Sequence, residues 1–232
     1  MVKWEALLTD FLAMVFPEVC FSCQQALWKG EQHLCTKCIG FLSKTYFHQY
    51  PKDNPLYEKF WGLSLLDHSL AFLKFSKGGK TQRLLHALKY KQQPALGVYL
   101  GRLYAADLCA AGYQPPFNLV LPIPLHVEKF RQRGYNQAAC FAKGLAEGLG
   151  LAFREDLLLR NKNTATQTRK GRFERWENVD SIFEVAEVEA VQGKHILLVD
   201  DVVTTGATMQ ACLKMLQTQP VEALSVAALA IA

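Results

Sequence analysis

Apolar and polar positions alternate along this chain with two different periods, and the alternation predicts strands and helices in turn. Residues 69–75 are almost continuously apolar and halt at Lys77-Gly78-Gly79, as a buried strand does. Residues 81–90 then place Leu84, Leu85 and Leu88 on one side of a helix. A second helical period covers 94–111, with Leu96, Tyr99, Leu100, Leu103 and Leu108 apolar. Leu119-Val120-Leu121 reads as a short buried strand that ends in Pro122-Ile123-Pro124. A helix over 136–149, a strand at His195 to Val199 and a last strand over 221–231 complete the pattern. Strands separated by helices imply a parallel, doubly wound α/β sheet.

The two ends of this pattern are different. At the start, Trp4, Leu7, Leu8, Phe11, Leu12, Val15 and Phe16 recur at helical spacing, with Glu5 and Asp10 among them. That segment is too short and too charged to span a membrane, so it reads as an amphipathic helix packed on the protein. No small-residue cleavage site follows it, which argues against a signal peptide and for a cytoplasmic chain. Pro51-Lys52-Asp53-Asn54-Pro55 is a turn-rich boundary. It divides a helix-plus-cysteine module at 1–50 from an α/β domain at 56–232. Residues 160–178 are polar, rich in Arg, Lys and Thr, and weakly periodic; a loop of that length inside a compact domain carries function or moves.

Composition narrows the class only slightly. Half of the 232 residues are hydrophobic and 20% are charged, an ordinary globular mixture rather than a disordered one. The formal charge of +5 suits a polyphosphate ligand or weak nucleic-acid contact and establishes neither.

The cysteines change the picture more. Four of the seven follow a spacing: Cys20-x2-Cys23, eleven residues, then Cys35-x2-Cys38. Two such knuckles can aim four sulfurs at one tetrahedral zinc ion. Four thiolates close the coordination shell, so the zinc would be structural rather than catalytic. Disulfides are the rival, disfavoured where no export signal is present. Cys109, Cys140 and Cys212 stand among apolar residues at helical spacing and read as small buried hydrophobes.

The sharpest chemistry lies at 196–208. Ile196-Leu197-Leu198-Val199 leads into Asp200-Asp201, and a turn holding Thr204, Thr205, Gly206, Ala207 and Thr208 precedes an apolar-periodic helix. Acids at the carboxyl end of a parallel strand sit where open α/β sheets bind their ligands. The turn supplies hydroxyls, a flexible glycine and the N–H groups of a helix start, which together make a monophosphate cradle. Two carboxylates would repel a second phosphate but accept hydrogen bonds from vicinal hydroxyls. The arrangement therefore predicts a ribose bearing a 5-phosphate. No Gly-x4-Gly-Lys-Ser/Thr loop occurs, which disfavours a P-loop nucleotidase.

The same order of strand, acid pair and Thr/Gly turn resembles the ribose-phosphate motif of type I phosphoribosyltransferases, which bind phosphoribosyl pyrophosphate (PRPP). Further clusters join it: His86-Ala87-Leu88-Lys89-Tyr90, Pro122-Ile123-Pro124-Leu125-His126, Arg131-Gln132-Arg133-Gly134-Tyr135-Asn136-Gln137, and Thr164, Gln167, Arg175 and Asn178. With the cysteine knuckles, they make the chain resemble the ComF family over nearly its whole length. These are phosphoribosyltransferase-like proteins linked to bacterial DNA uptake. The resemblance implies that Asp200 and Asp201 hold the ribose hydroxyls as the catalytic pair and that Thr204 to Thr208 hold the 5-phosphate. It implies that Pro122, Ile123 and Pro124, with Lys89, Arg131 and Arg133, face the pyrophosphate, accompanied by Mg2+. Residues 160–178 take the place of a closing lid, with Lys162, Arg169, Lys170 and Arg172 as its cations. His86 and His126 read as structural residues before ligands.

No residue stands out as recognising an acceptor base. Two readings follow. One is phosphoribosyl transfer to an unknown acceptor, linked to DNA uptake or nucleotide metabolism. The other is a non-catalytic PRPP sensor or single-stranded-DNA-handling competence accessory protein, partnered by single-stranded DNA or a competence-machinery protein.

Overall fold

The centre of the molecule is the strand β6, His195–Val203, whose first five residues are buried on both faces. Continuous burial explains the unbroken apolar run: a strand covered on both sides has no solvent face to alternate with. The computed structural model describes residues 17–161 and 182–232. The amphipathic stretch at 4–16 and all of the lid segment beyond Asn161, including Lys162, Thr164, Gln167, Arg169, Lys170, Arg172, Arg175 and Asn178, lie outside the described residues.

Five strands form one sheet: β1 (Leu66–Lys74), β2 (Leu119–Pro122), β3 (Ala152–Phe153), β6 and β7 (Ala223–Ile231). Their order is β1-β7-β6-β2-β3, and every pairing is parallel. The helices that cover it are α1 (Thr36–Gly40), α2 (Pro55–Glu58), α3 (Lys80–Tyr90), α4 (Pro94–Ala110), α5 (Val127–Arg133), α6 (Gln137–Leu149), α7 (Val188–Val191) and α8 (Ala207–Leu216). The doubly wound α/β sheet expected from the alternation is present. Two apolar cores lie on its two faces. One joins Leu70, Phe72, Leu84, Leu88, Leu100, Tyr104 and Phe141. The other joins Leu121, Ile123, Leu198, Met209, Leu213 and Phe183.

The α4–α6 contact is unusually close. A Cβ at Gly101 would strike the carbonyl of Phe141, and one at Gly144 would strike the carbonyl of Val98. Glycine is required there because two backbones touch.

The cysteine module packs on the first core rather than standing apart. Cys20, Leu34, Cys35, Cys38 and Leu42 are buried in it. Residues 43–45, leaving the module, bridge to the edge of β1: Lys74 N donates to Ser43 O at 2.7 Å and Thr45 N to Phe72 O at 3.0 Å. A lone sheet edge would otherwise expose a row of unpaired backbone groups. Lys44 Nζ lies 2.6 Å from Asp107 Oδ2 and clamps the module to α4.

The structure differs from the sequence expectation near the cleft. The basic stretch 127–133 is a helix, α5, with none of its residues buried. A two-stranded antiparallel hairpin, β4 (Leu158–Arg160) with β5 (Phe183–Val185), flanks the polar segment. Finally, β6 does not stop at Val199: it runs through both aspartates, with Asp200 opposite Ala228 and Val202 opposite Ala230.

Candidate functional site

Strand lengths open the cleft. On one side of β6, β7 pairs as far as Val203. On the other, β2 ends with Pro122 opposite Val199, so Asp200 and Asp201 project past their neighbour. The chain leaves β2 toward β3 and leaves β6 toward β7, in opposite directions across the sheet. That divergence leaves the crevice in which open α/β sheets bind ligands. A cavity of about 280 Å³ occupies it, lined by Lys89, Ile123, Pro124, His126, Arg133, Arg160, Asp200, Asp201, Thr204 and Thr208 among others.

Each wall is fixed by local chemistry. Ile123 N donates to Val199 O at 2.8 Å, which carries the sheet pairing one residue past β2. Asn136 caps α6, its Oδ1 accepting from Ala138 N at 3.1 Å, while its Nδ2 donates to Ile123 O at 2.9 Å. One side chain thus starts a helix and pins the Pro122-Ile123-Pro124 turn. Gly206 has φ +83° and caps α8; a Cβ there would approach the Phe60 ring to 2.9 Å. Both the left-handed backbone and the buried ring demand glycine. The first turn of α8 then presents N–H groups without intrahelical acceptors. Thr204, Thr205, Gly206, Ala207 and Thr208 line a small hollow of about 50 Å³ beside Asp200.

The acid pair is electrostatically uneven. Burial pushes the Asp200 carboxyl up to about 7, the Asp201 charge adds to the rise, and Lys89 opposes it. Asp200 Oδ1 accepts from Asp201 N at 2.8 Å. Lys89 Nζ reaches from α3 to within 3.0 Å of Asp201 Oδ2. Apart from that ion pair, Asp201 Oδ2 is buried and accepts no hydrogen bond from the described residues. Arg133 Nη1 donates to Gln137 Oε1 at 2.8 Å, yet its Nε is also buried with no partner. Unsatisfied buried polar atoms are uncommon and costly, and here both belong to side chains that line one cavity.

Most residues singled out from the sequence therefore meet: Lys89, Ile123, Pro124, Arg133, Asp200, Asp201 and the 204–208 turn. Pro122 is buried in β2 beneath the cleft. Arg131 is exposed on α5 and does not line the cavity. His126 does line it and caps α5, its Nδ1 accepting from Glu128 N at 3.3 Å. His86 is exposed and packs on Tyr90, away from the cleft. The residue that sequence reasoning passed over is Arg160, which also lines the cavity. Its signal was a cation closing the apolar run 157–159. A larger apolar cavity, about 650 Å³, lies between β5 and α8 and includes none of the acid or turn residues.

The four knuckle cysteines converge as their spacing implied. Their sulfurs lie within 4.8 Å of one another, and Cys23 Sγ is 3.8 Å from Cys35 Sγ. A tetrahedron with spokes of about 2.3 Å has edges of about 3.8 Å, so the separation fits zinc–thiolate geometry. All seven cysteines are free of disulfides. Burial raises the Cys20 thiol, but N–H groups of Cys35, Cys23 and Ser22 outweigh it and bring it down to about 7. Burial pushes Cys38 up to about 12. Four thiols this close cannot all ionise unless a cation joins them. Of the other cysteines, Cys212 is buried as expected, Cys140 is half-buried, and Cys109 is exposed: α4 turns that position outward, a correction to the apolar reading. No helix among the described residues is long and apolar enough to cross a membrane.

Residues 136–231 match the family described as Phosphoribosyl transferase domain. DNA utilization protein YhgH of Salmonella typhimurium is 33% identical over 137 residues, 57% of this chain and 59% of its own length. Competence protein F of Haemophilus influenzae is 32% identical over 112 residues, 48% of this chain and 49% of its own. Competence protein ComFC of Bacillus subtilis is 27% identical over 211 residues, 90% of this chain and 80% of its own. The chain thus spans less than two thirds of the length of YhgH and of competence protein F.

Proposed function

We propose, for a homologue of competence protein F, ComFC and YhgH whose α/β domain is type I phosphoribosyltransferase-like, that the cleft between β2 and β6 binds PRPP. The observation that carries this reading is the convergence of an acid pair, a helix-start phosphate hollow and unsatisfied cationic and anionic atoms in one crevice. Asp200 and Asp201 accept hydrogen bonds from the ribose 2- and 3-hydroxyls. Thr204, Thr205, Gly206, Ala207 and Thr208 hold the 5-phosphate, and the α8 N-terminus complements its charge. Pro122, Ile123 and Pro124 form the floor at the pyrophosphate end; the prolines have no N–H and that of Ile123 is donated to Val199 O, so Lys89 and Arg133 are the nearby cations that meet the charge. Arg131, exposed and off the cavity wall, contributes only long-range charge.

Asp200 and Asp201 would hold Mg2+ beside the cleft, where the ion would supply positive charge to neutralise the leaving group. The donor set fits it: two adjacent carboxylates at the cavity wall, one of them raised in pKa by burial and by its neighbour. Transfer then breaks the C1–O bond to pyrophosphate and forms a bond from C1 to a nucleophilic acceptor. Asp200 and Asp201 hold the ring and favour the positive charge that develops at C1. The acid pair also explains its own cost, because a buried carboxyl raised to about 7 is relieved when a cation or hydroxyls arrive.

Cys20, Cys23, Cys35 and Cys38 hold a structural zinc ion that secures the N-terminal module, 1–50, to the domain at 56–232. The relatives are named for DNA utilization and for competence; the reading for this chain is a role in DNA uptake or nucleotide metabolism, with single-stranded DNA or a competence-machinery protein as partner. Incubation with PRPP, Mg2+ and a panel of nucleobases tests the catalytic part. Release of pyrophosphate dependent on one acceptor supports a transferase. Tight PRPP binding without release for any acceptor supports the sensor reading instead.

A further inference from the structure

We propose that Arg160 is a ligand-contacting cation of this cleft and grips the pyrophosphate end of the bound sugar phosphate. The assignment rests on the PRPP reading above and deepens it. Arg160 ends β4 and pairs with Phe183 of β5. Its guanidinium carbon lies 5.3 Å from the centre of the Phe183 ring, and that ring is 1% exposed. A cation stacked on a buried aromatic face is held in place without a carboxylate partner. Among the described residues no acid lies within ion-pair distance of Arg160. Lys89 is paired with Asp201, while Arg133 gives one hydrogen bond to Gln137 and keeps its charge for the same end of the cleft.

Position selects the part of the ligand. Arg160 lines the cavity shared by Pro124, His126, Lys129, Arg133 and the acid pair, and it is absent from the hollow formed by the 204–208 turn. Both Asp200 and Arg160 act on the buried Cys212 thiol of α8, Asp200 raising and Arg160 lowering it after the larger effect of burial. The shared cavity lining puts Arg160 near the acid pair. The turn answers the 5-phosphate and the acids answer the hydroxyls, so the charge still to be met is the pyrophosphate. A planar guanidinium fork fits two phosphate oxygens, and a half-buried arginine at the cavity wall gains most from such a partner.

Calorimetric titration of the full-length protein and its Arg160→Met and Arg160→Lys variants tests this. The ligands are PRPP with Mg2+, inorganic pyrophosphate and ribose 5-phosphate. Arg160→Met is expected to weaken PRPP and pyrophosphate roughly 10- to 100-fold and to leave ribose 5-phosphate within about twofold. Arg160→Lys, which keeps charge but not the fork, is expected to fall between, with thermal unfolding unchanged. Wild-type affinity for PRPP in Arg160→Met overturns the assignment, as does an equal loss for ribose 5-phosphate. If Arg160→Met fails to fold, the same comparison in Arg160→Lys decides. A wild-type protein that binds none of the three ligands overturns the PRPP reading, and this assignment with it.

Discussion

The cysteine knuckle and the acid cleft both crowd like-charged groups into a small space, yet they solve the problem in opposite ways. In the knuckle four sulfurs surround a point from all sides, and Cys20, Cys35 and Cys38 are buried. In the cleft two carboxylates face outward past the end of β2, with Lys89 on one of them and a cavity before both. A closed shell suits a resident ion that holds structure together. An open one suits a ligand that comes and goes. Repulsion among neighbouring acids thus indicates a binding site in both regions, and the geometry of exposure says which kind.

The largest effect belongs to the closed region. Cys38→Ser is expected to abolish stoichiometric zinc, measured by metal analysis, and to cost ~3 kcal/mol or more of stability. Full stability in a metal-free Cys38→Ser chain would remove the contrast. The next belongs to the turn of the open region. Gly206→Ala forces a side chain into left-handed backbone and against Phe60. A loss of about 1–3 kcal/mol in thermal unfolding, with PRPP affinity down about tenfold or more, is expected.

A third effect separates stability from binding within the cleft. The Asp200 carboxyl is raised to about 7, above its ordinary value near 4, so the folded chain binds more protons than the unfolded one between those values. Stability from this group is therefore present at low pH and lost as pH rises toward 7. Asp200→Asn should be more stable than wild type at pH 8, on the order of 1–3 kcal/mol given the residue's remaining exposure, with the difference vanishing near pH 4. A destabilised Asp200→Asn at pH 8 would show that the carboxylate is supported rather than strained. The smallest effect is a control: Cys109→Ser, on the exposed face of α4, should change stability by less than about 0.5 kcal/mol and leave zinc content intact.

Legibility in the sequence followed the same division. The knuckle was readable because four cysteines at fixed spacing declare a common centre. The turn at 204–208 was readable because strand, acids, glycine and helix follow one another within a short stretch. The helices at Lys80–Tyr90, Pro94–Ala110 and Gln137–Leu149 were readable from apolar periodicity within a residue or two of their ends. What escaped was short, exposed or distant. The helix α5 buries no residue, so it has no apolar stripe to betray it. Each strand of the β4–β5 hairpin has three residues, too few for a period, and their pairing spans a long separation. The strand order, the Lys89–Asp201 contact and the place of Arg160 depend on which elements meet in space. Local pattern carries no such information.

The two aspartates are expected to hold a sugar phosphate. Isothermal titration of PRPP with Mg2+ into wild type and the Asp200→Asn/Asp201→Asn double variant at pH 8 tests that directly. Binding by wild type, weakened roughly 100-fold or more in a variant that remains folded, is the predicted result. Equal affinity in the two proteins would contradict it.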